Sequence, residues 1–214
     1  MERFFPEFAH TMVQQSVGTV KEAENPVTIR DLFRMTAGIG DGDDYAEMGM
    51  QFYMETDGAC PGVELPKYLA RTNLLFEPGT QFKYGICHEV LAALITTLTG
   101  QSFSAYLKEH IFEPLGMENT AFRLSECRSQ SLATQYSLLK NGELECKGKA
   151  NCLIPPILKE SASGGLISSV DDYMKFQEAL CRENVLLSKS TTDLMWLDQL
   201  DGNRIRNLIY SALK

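Results

Sequence analysis

The chain lacks the features that mark membrane-spanning and nucleic-acid-binding proteins. It has no run of about 18 apolar residues, and its first residues, MERFFPE, do not form the apolar core of a signal peptide. Lysine and arginine are not clustered, and the net charge is −8, so the basic surface that nucleic acid requires is missing. For the sequence as given we expect a soluble, cytoplasmic protein with neither membrane nor nucleic acid as a partner; a missing N-terminus could change the location.

Metal-binding motifs are also missing. The six cysteines, at positions 60, 87, 127, 146, 152 and 181, form no Cys-x-x-Cys pair, and the three histidines, at 10, 88 and 110, lie far apart. This spacing argues against zinc, and the missing secretion signal favours reduced thiols over disulfides. The acidic segment from Gly40 to Gly62 does not fit a calcium loop, because Phe52 stands where a carboxylate is required. We expect neither a metal nor a cofactor.

The sequence does contain 214 residues, 44% of them apolar, which is enough for a sizeable core. Its clearest pattern runs from Phe76 to Thr120. A turn at Glu77-Pro78-Gly79 leads to Tyr84, a helix then ends at Gly100, and a second helix begins at Ser102 and stops before Gly116. The predicted buried faces of the two helices are Leu91, Leu94, Ile95 and Leu98, and Phe103, Tyr106, Leu107 and Ile111.

The flanking segments predict further helices and a hairpin. Residues 1–24 suggest a helical or irregular lead-in, and Thr28 with Asp31 begins a helix that should end near Gly38. Between residues 40 and 62 we expect a loop and a short helix packed through Met48, Met50 and Met54. Further along, we expect a strand at 120–124 and a hairpin of 133–140 with 143–147. A helix from Ser169, on which Tyr173, Phe176 and Leu180 share a face, and a helix at 188–196 should follow.

Three ordered segments resemble the serine β-lactamase and penicillin-binding-protein-like hydrolases, particularly the class C β-lactamase and carboxylesterase branch. These segments are PVTIRDLFRMTAG at 26–38, the long run FEPGTQFKYG…HEVLAALITTLTGQSF…YLKEHIFEPLGM, and SASGGL at 161–166. The resemblance implies an α+β fold, a helix-rich lobe with a partial, incomplete antiparallel sheet. It also implies one incomplete domain over 1–214, with a helical lobe at about 25–118, a hairpin and turn region at about 119–167 and C-terminal helices at about 168–214.

The resemblance also implies a reaction and a site. The family transfers acyl groups: a serine attacks an ester or lactam carbonyl, and water then hydrolyses the acyl-enzyme. Tyr84 aligns with the family tyrosine, although Ile86 stands where an amide side chain is usual, and Ser163, Gly164 and Gly165 match the turn beside the substrate pocket. The substrate would be a small-molecule ester, lactam or peptide.

The remaining parts of such a site are not found in the sequence. Ser-x-x-Lys occurs at 137–140 and at 211–214, but the first leads into a predicted hairpin and the second ends the chain. No Lys-Thr-Gly or His-x-Gly follows Gly165. We expect Cys87 to be buried and unreactive, because adjacent helical residues point in different directions and His88 is therefore poorly placed to act as its base. With no nucleophile identified, we predict no turnover by this chain alone, whereas an in-frame Ser-x-x-Lys upstream would restore the enzyme interpretation. The alternative is a non-catalytic remnant that binds a partner or forms a homo-oligomer through exposed apolar faces.

Overall fold

The computed structural model describes residues 1–16, 18–40, 43–122, 132–149 and 160–200. Within these ranges the chain forms seven α-helices and two small two-stranded antiparallel sheets, so the predicted α+β class is confirmed. Helices α1 to α7 lie at Ile29–Arg34, Asp43–Glu55, Leu65–Leu69, Cys87–Thr99, Phe103–Leu107, Val170–Cys181 and Lys189–Trp196. Strands β1 to β4 lie at Met12–Ser16, Thr19–Glu22, Thr134–Leu138 and Leu144–Lys149.

The N-terminal segment corrects the predicted helical or irregular lead-in. A 3-10 helix at Pro6–His10 is followed by a hairpin of β1 with β2, whose turn contains Gly18 at φ +77°. Strand β1 is also held from its other side, because the Leu74 amide donates to the Met12 carbonyl at 2.7 Å. Strand β1 has only one buried apolar residue, so its sequence gives little indication of a strand. Its pairing also includes hydrogen bonds to Leu74, about sixty residues further along the chain.

Helix α1 begins as predicted but ends early. The Thr28 side chain accepts from the Asp31 amide and the Asp31 carboxylate accepts from the Thr28 amide, which confirms the capping box. The helix stops at Met35, which adopts a left-handed conformation at φ 56°, rather than near Gly38. Gly38 is also left-handed, at φ +80°, but it belongs to the following segment, where an added Cβ would lie 2.5 Å from the Phe76 carbonyl oxygen.

The core lies between the N-terminal 3-10 helix, β1 and helices α1 to α4. Its cluster of buried residues runs from Phe5 to Leu94, and its largest fully buried side chains are Phe52, Leu32, Ile39, Leu69, Leu74 and Val13. Helix α2 is longer than the short helix predicted for residues 40–62, and only one of its three methionines packs inward. Met48 is buried, whereas Met50 and Met54 are 61% and 68% exposed, so the packing role predicted for those two is wrong.

The two central helices keep their predicted ends, but the predicted buried faces need correction. Gly100 caps α4 at φ 71°, and the Ser102 hydroxyl accepts from the Ala105 amide at the start of α5. Leu98 is 62% exposed, because the carboxyl end of α4 extends beyond the core, and the residues buried on this helix include Cys87, Val90, Ala93 and Leu94. Helix α5 continues into one π turn at Lys108–Phe112, and Phe112 is the buried residue there.

The C-terminal part confirms one hairpin and two helix starts. Strands β3 and β4 pair antiparallel across Asn141-Gly142, as predicted. The predicted strand at 120–124 is reduced to a single bridge between Ala121 and Ile167, and residues 123 and 124 lie outside the described residues. Ser169 and Ser188 cap α6 and α7 as expected. Of the three residues expected to share a face of α6, Tyr173 is 56% exposed whereas Phe176 and Leu180 are half-buried, and the fully buried side chain at that end of α6 is Asp172.

In the part of the chain that the structure describes, no single helix has the length and apolar composition needed to cross a membrane. The pair Cys87–Thr99 and Phe103–Phe112 meets that test only when its two helices are taken together across an 83° bend.

Candidate functional site

Tyr84 lies on a short segment that is fixed to the chain after α1. The Lys83 amide donates to the Met35 carbonyl at 3.0 Å, and Gly85 packs so closely that an added Cβ would lie 2.8 Å from backbone atoms of Ile39 and Gly40. Only glycine fits this approach without movement of one of the two segments. The Tyr84 side chain is 62% exposed. It is therefore presented to solvent from a fixed backbone position, and it is more exposed than an ordinary half-buried aromatic.

The segment that receives Gly85 is itself held in place by three hydrogen bonds. The Leu75 amide donates to the Gly38 carbonyl at 2.8 Å, and the Gly79 amide donates to the Thr36 carbonyl at 2.8 Å. The Gly40 amide donates to the Tyr45 hydroxyl at 2.9 Å, in a buried position. The predicted turn around Gly79 thus anchors residues 36–40, on which the Tyr84 segment rests.

The second predicted site element is the turn that contains Ser163, Gly164 and Gly165. It closes with a hydrogen bond of 2.9 Å from the Gly165 amide to the Ser161 carbonyl, and a Cβ at Gly165 would lie only 2.6 Å from that carbonyl oxygen. Ser163 and Gly164 are exposed, whereas Gly165 is buried. The close approach at Gly165 explains why this turn needs glycine there.

A small cavity lies against this turn. Its volume is about 240 Å³, and it is lined by Phe103, Phe122 and residues 161–166. The two phenyl rings are 5.7 Å apart between centroids and tilted by 50°. None of the lining residues is charged, and Tyr84 is not among them. The structure therefore brings Ser163, Gly164 and Gly165 together at one cavity, with Tyr84 outside it.

Glu89 connects the turn to helix α4 and was not recognised from the sequence. Its side chain is 5% exposed and accepts from the amides of Ala162 and Ser163, each at 3.0 Å, and from the Ser161 hydroxyl. The one available signal was an acidic residue in the first turn of an otherwise apolar helix. Such a residue is usually explained by the helix dipole alone, so its long-range partners could not be inferred.

Cys87 is buried, as predicted, and is not a nucleophile. Its side chain is fully buried, and its sulfur lies 3.9 Å from the Ile39 carbonyl oxygen. Burial raises the pKa of the Cys87 thiol to about 12, so the group is protonated at neutral pH. The described cysteines, Cys60, Cys87, Cys146 and Cys181, are all free thiols.

The Ser-x-x-Lys pair at 137–140 does not have the geometry of a nucleophile and its base. Ser137 lies in strand β3, and Lys140 lies in the turn that joins β3 to β4, so the two residues do not share a helix face. The second pair, at 211–214, lies outside the described residues. Within the described ranges, no group of three or more histidine, cysteine or acidic residues is placed to hold a metal ion.

The fold and the sequence together define the class of protein. The β-lactamase family model matches residues 13–207, and the chain therefore belongs to the β-lactamase family. It is similar to esterase EstB of Burkholderia gladioli, with 26% identity over 221 residues that cover 92% of this chain and 53% of EstB. The chain spans about half the length of the curated relatives it matches.

Solved structures show the same fold. Simvastatin synthase LovD of Aspergillus terreus superposes with a TM-score of 0.76 at 21% identity, over 97% of this chain and 53% of LovD. At that identity the likeness shows the fold alone. The octameric penicillin-binding protein homologue of Pyrococcus abyssi has a TM-score of 0.58 at 28% identity, over 78% of this chain and 38% of the homologue.

Proposed function

We propose that the chain carries part of a β-lactamase-type acyl-transfer site, in which Tyr84 and the turn of Ser163, Gly164 and Gly165 face the substrate. The substrate is a small-molecule ester, lactam or peptide, whose carbonyl carbon is attacked by a serine and whose acyl group is then released by water. The observation that carries the proposal is the family match over residues 13–207, which includes both elements. Esterase EstB, which by its name acts on esters, supports the ester branch.

The second part of the proposal is that the 214-residue polypeptide does not turn over such substrates by itself. Its sequence contains no Ser-x-x-Lys ahead of Thr28 and no Lys-Thr-Gly or His-x-Gly after Gly165. Ser137 and Lys140 lie in a strand and a turn. A site without an activated nucleophile or an oxyanion-binding strand loses the main contributions to acyl transfer. The same missing motifs support the proposal of one incomplete β-lactamase-like domain. Its regions would be a helical lobe to about residue 118, a hairpin and turn region to about residue 167, and the C-terminal helices after it.

Activity-based labelling tests this proposal. The purified chain is treated with a serine-reactive fluorophosphonate, a chromogenic ester and a chromogenic cephalosporin, with circular dichroism to establish that it is folded. We expect no covalent label and no hydrolysis above the buffer rate. The matched variants are Ser137→Ala and Ser211→Ala, alone and combined. Labelling of the native chain that persists in the double variant, and is lost on heat denaturation, would show a nucleophile that we have not identified.

A second candidate function is a non-catalytic module that associates with a second copy of the chain. The observation that favours it is the exposure of large apolar side chains on α6, on α7 and directly after α7, among them Val170, Tyr173, Met174, Leu194, Met195, Trp196 and Leu197. Apolar surface of this kind is typical of an interaction site. The Pyrococcus abyssi homologue is described as octameric, which supports assembly within the family.

A further inference from the structure

The turn of residues 161–165 has few internal contacts that could hold it in one conformation. Its internal hydrogen bonds are one from the Gly165 amide to the Ser161 carbonyl at 2.9 Å and a longer one from the Ser163 amide to the Ser161 hydroxyl at 3.3 Å, and it contains two consecutive glycines. Glycine has the greatest backbone freedom in the unfolded chain, so ordering a segment of this composition is costly. The turn is nevertheless the wall of the 240 Å³ cavity, and its conformation decides where Ser163 and Gly164 are presented.

Glu89 supplies the missing constraint. One carboxylate oxygen accepts from the Ser163 amide at 3.0 Å and from the Ser161 hydroxyl, and the other accepts from the Ala162 amide at 3.0 Å. The side chain is 5% exposed, so these bonds form in surroundings where water competes poorly. Hydrogen bonds to a carboxylate acceptor are stronger than those between neutral groups. Three such bonds over three consecutive residues fix the backbone of the turn.

The neighbouring acidic residue, Glu160, has a different role. Its carboxylate accepts from the Ser104 amide at 3.0 Å and from the Ser104 hydroxyl at 2.7 Å, at the start of α5. Glu160 therefore attaches the chain before the turn to α5, whereas Glu89 binds the turn itself. This difference makes Glu160 a matched control for Glu89.

We propose that Glu89 is a positioning residue, which fixes the turn of residues 161–165 and couples its position to the start of helix α4, three residues after Tyr84. Helix α4 begins at Cys87, so the end that carries Glu89 also carries the chain that presents Tyr84. The two site elements, about eighty residues apart in sequence, are thus held by one helix end. Both carboxylate oxygens are already occupied by donors from the turn, an arrangement that holds the backbone rather than one that takes a proton from a substrate. The inference rests on the proposed function only in treating the turn as part of a substrate site.

The test combines amide hydrogen exchange and ligand titration, both followed by NMR on the full chain. In Glu89→Gln the new side chain has one acceptor oxygen, and its NH₂ group faces a donor from the turn. We expect exchange at Ala162, at Ser163 or at both to become roughly tenfold to a hundredfold faster. The core amides of Val90 and Leu94 should keep their protection, and Glu160→Gln should leave Ala162 and Ser163 unchanged. A merely structural role would instead lower protection throughout the core.

The ligand arm uses methyl phenylacetate, a small neutral ester whose ring suits a cavity lined by Phe103 and Phe122. We expect it to shift the Gly164 and Gly165 amide signals of the native chain. It should bind about tenfold more weakly to Glu89→Gln, because the loss of one hydrogen-bonded donor and acceptor in the turn costs roughly that factor. Unchanged exchange at both turn amides in Glu89→Gln would overturn the inference. If that variant does not fold, Ser161→Ala removes the hydroxyl that donates to Glu89 and that also accepts from the Ser163 amide at 3.3 Å. Exchange is then followed at Ala162, whose amide donates to Glu89, and it should become several-fold faster; unchanged exchange at Ala162 overturns the inference equally. Failure of the ester to shift Gly164 and Gly165 in the native chain would count against the proposed substrate site, while the exchange data still decide the role of Glu89.

Discussion

Asp172 joins helix α6 to residues 119–120 through one buried carboxylate. It is fully buried at the third position of α6 and accepts from the Asn119 amide at 2.6 Å, the Thr120 hydroxyl at 3.0 Å and the Lys175 ammonium at 3.0 Å. Burial by itself would raise the pKa of Asp172, but the hydrogen bonds from Lys175, Asn119 and Thr120 outweigh it and lower the pKa below its ordinary value of 3.8. The charged form is thus the one that the fold stabilises.

Replacing Asp172 by asparagine should therefore destabilise the protein in a pH-dependent way. The stability that Asp172 contributes is fully present above the ordinary pKa of 3.8 and is lost as the pH falls through the lower pKa of the folded state. We expect Asp172→Asn to lower the free energy of unfolding by about 1–3 kcal/mol at pH 7, with a difference that shrinks below about pH 4. Urea unfolding at several pH values measures this difference.

The neighbouring Asp171 is the control for Asp172. Its side chain is exposed, and it precedes Asp172 in the first turn of α6. The substitution Asp171→Asn should change the free energy of unfolding by less than about 0.5 kcal/mol, as expected for a surface position. Equal losses in the two variants would mean that the effect comes from the charge near the start of α6 rather than from the buried hydrogen bonds.

At the scale of elements, the contact between the Tyr84 segment and residues 39–40 depends on Gly85. A Cβ at this position would meet backbone atoms of Ile39 and Gly40 at 2.8 Å, and backbone cannot move aside as a flexible side chain can. We expect Gly85→Ala to lower the free energy of unfolding by about 1–3 kcal/mol and to displace Tyr84. Urea unfolding and the NMR signals of Tyr84 measure the two effects.

Gly62 offers a matched control for Gly85. No atom lies within 4 Å of the position its Cβ would take, and its φ is outside the left-handed region. The substitution Gly62→Ala should therefore leave the free energy of unfolding within about 0.5 kcal/mol of the native value. If Gly85→Ala proved as well tolerated as Gly62→Ala, the close packing of the two segments would not be what fixes Tyr84.

The elements that the sequence predicted well are those determined by local chemistry. Thr28, Ser102 and Ser169 accept hydrogen bonds from amides three residues ahead, and Asn141-Gly142 turns the β3–β4 hairpin, so their signals are complete within a few residues. The β1–β2 hairpin was missed because its strands are mostly polar and β1 is also paired to Leu74. Periodicity alone did not locate the exposed end of α4, because it reports which face is apolar and not where the helix leaves the core.

The candidate site likewise contains features that the local sequence reveals and one feature that depends on distant contacts. The glycines of the turn and the position of Tyr84 were recognisable as motifs. Glu89 was not, because its three donors lie more than seventy residues away and its own neighbours show only a helix start. Partners of this kind are set by the tertiary fold, and a single sequence without contact information does not reveal them.

At the scale of the whole molecule, the two ends of the described chain pack differently. The core cluster lies between Phe5 and Leu94, whereas α6 contributes few buried residues and α7 contributes none. The last turn of α7 and the residue after it expose four consecutive apolar side chains, and Trp196, the single tryptophan, is 67% exposed. The net charge of −8 opposes close approach of two copies, and salt screens that repulsion.

We therefore expect the chain to self-associate as its concentration and the ionic strength rise. Burial of one exposed leucine contributes about 1.5–3 kcal/mol at most, so Leu197→Ser should weaken association by roughly tenfold. Sedimentation velocity measures the association, and a blue shift of the Trp196 emission would place it at α7. Leu98→Ser removes an equally exposed leucine, 62% against 59%, from the far end of α4 and leaves the charge unchanged. A chain that stays monomeric at high salt, or an equal weakening by both substitutions, would contradict association through α7, because an interface formed by that helix should be sensitive only to changes there.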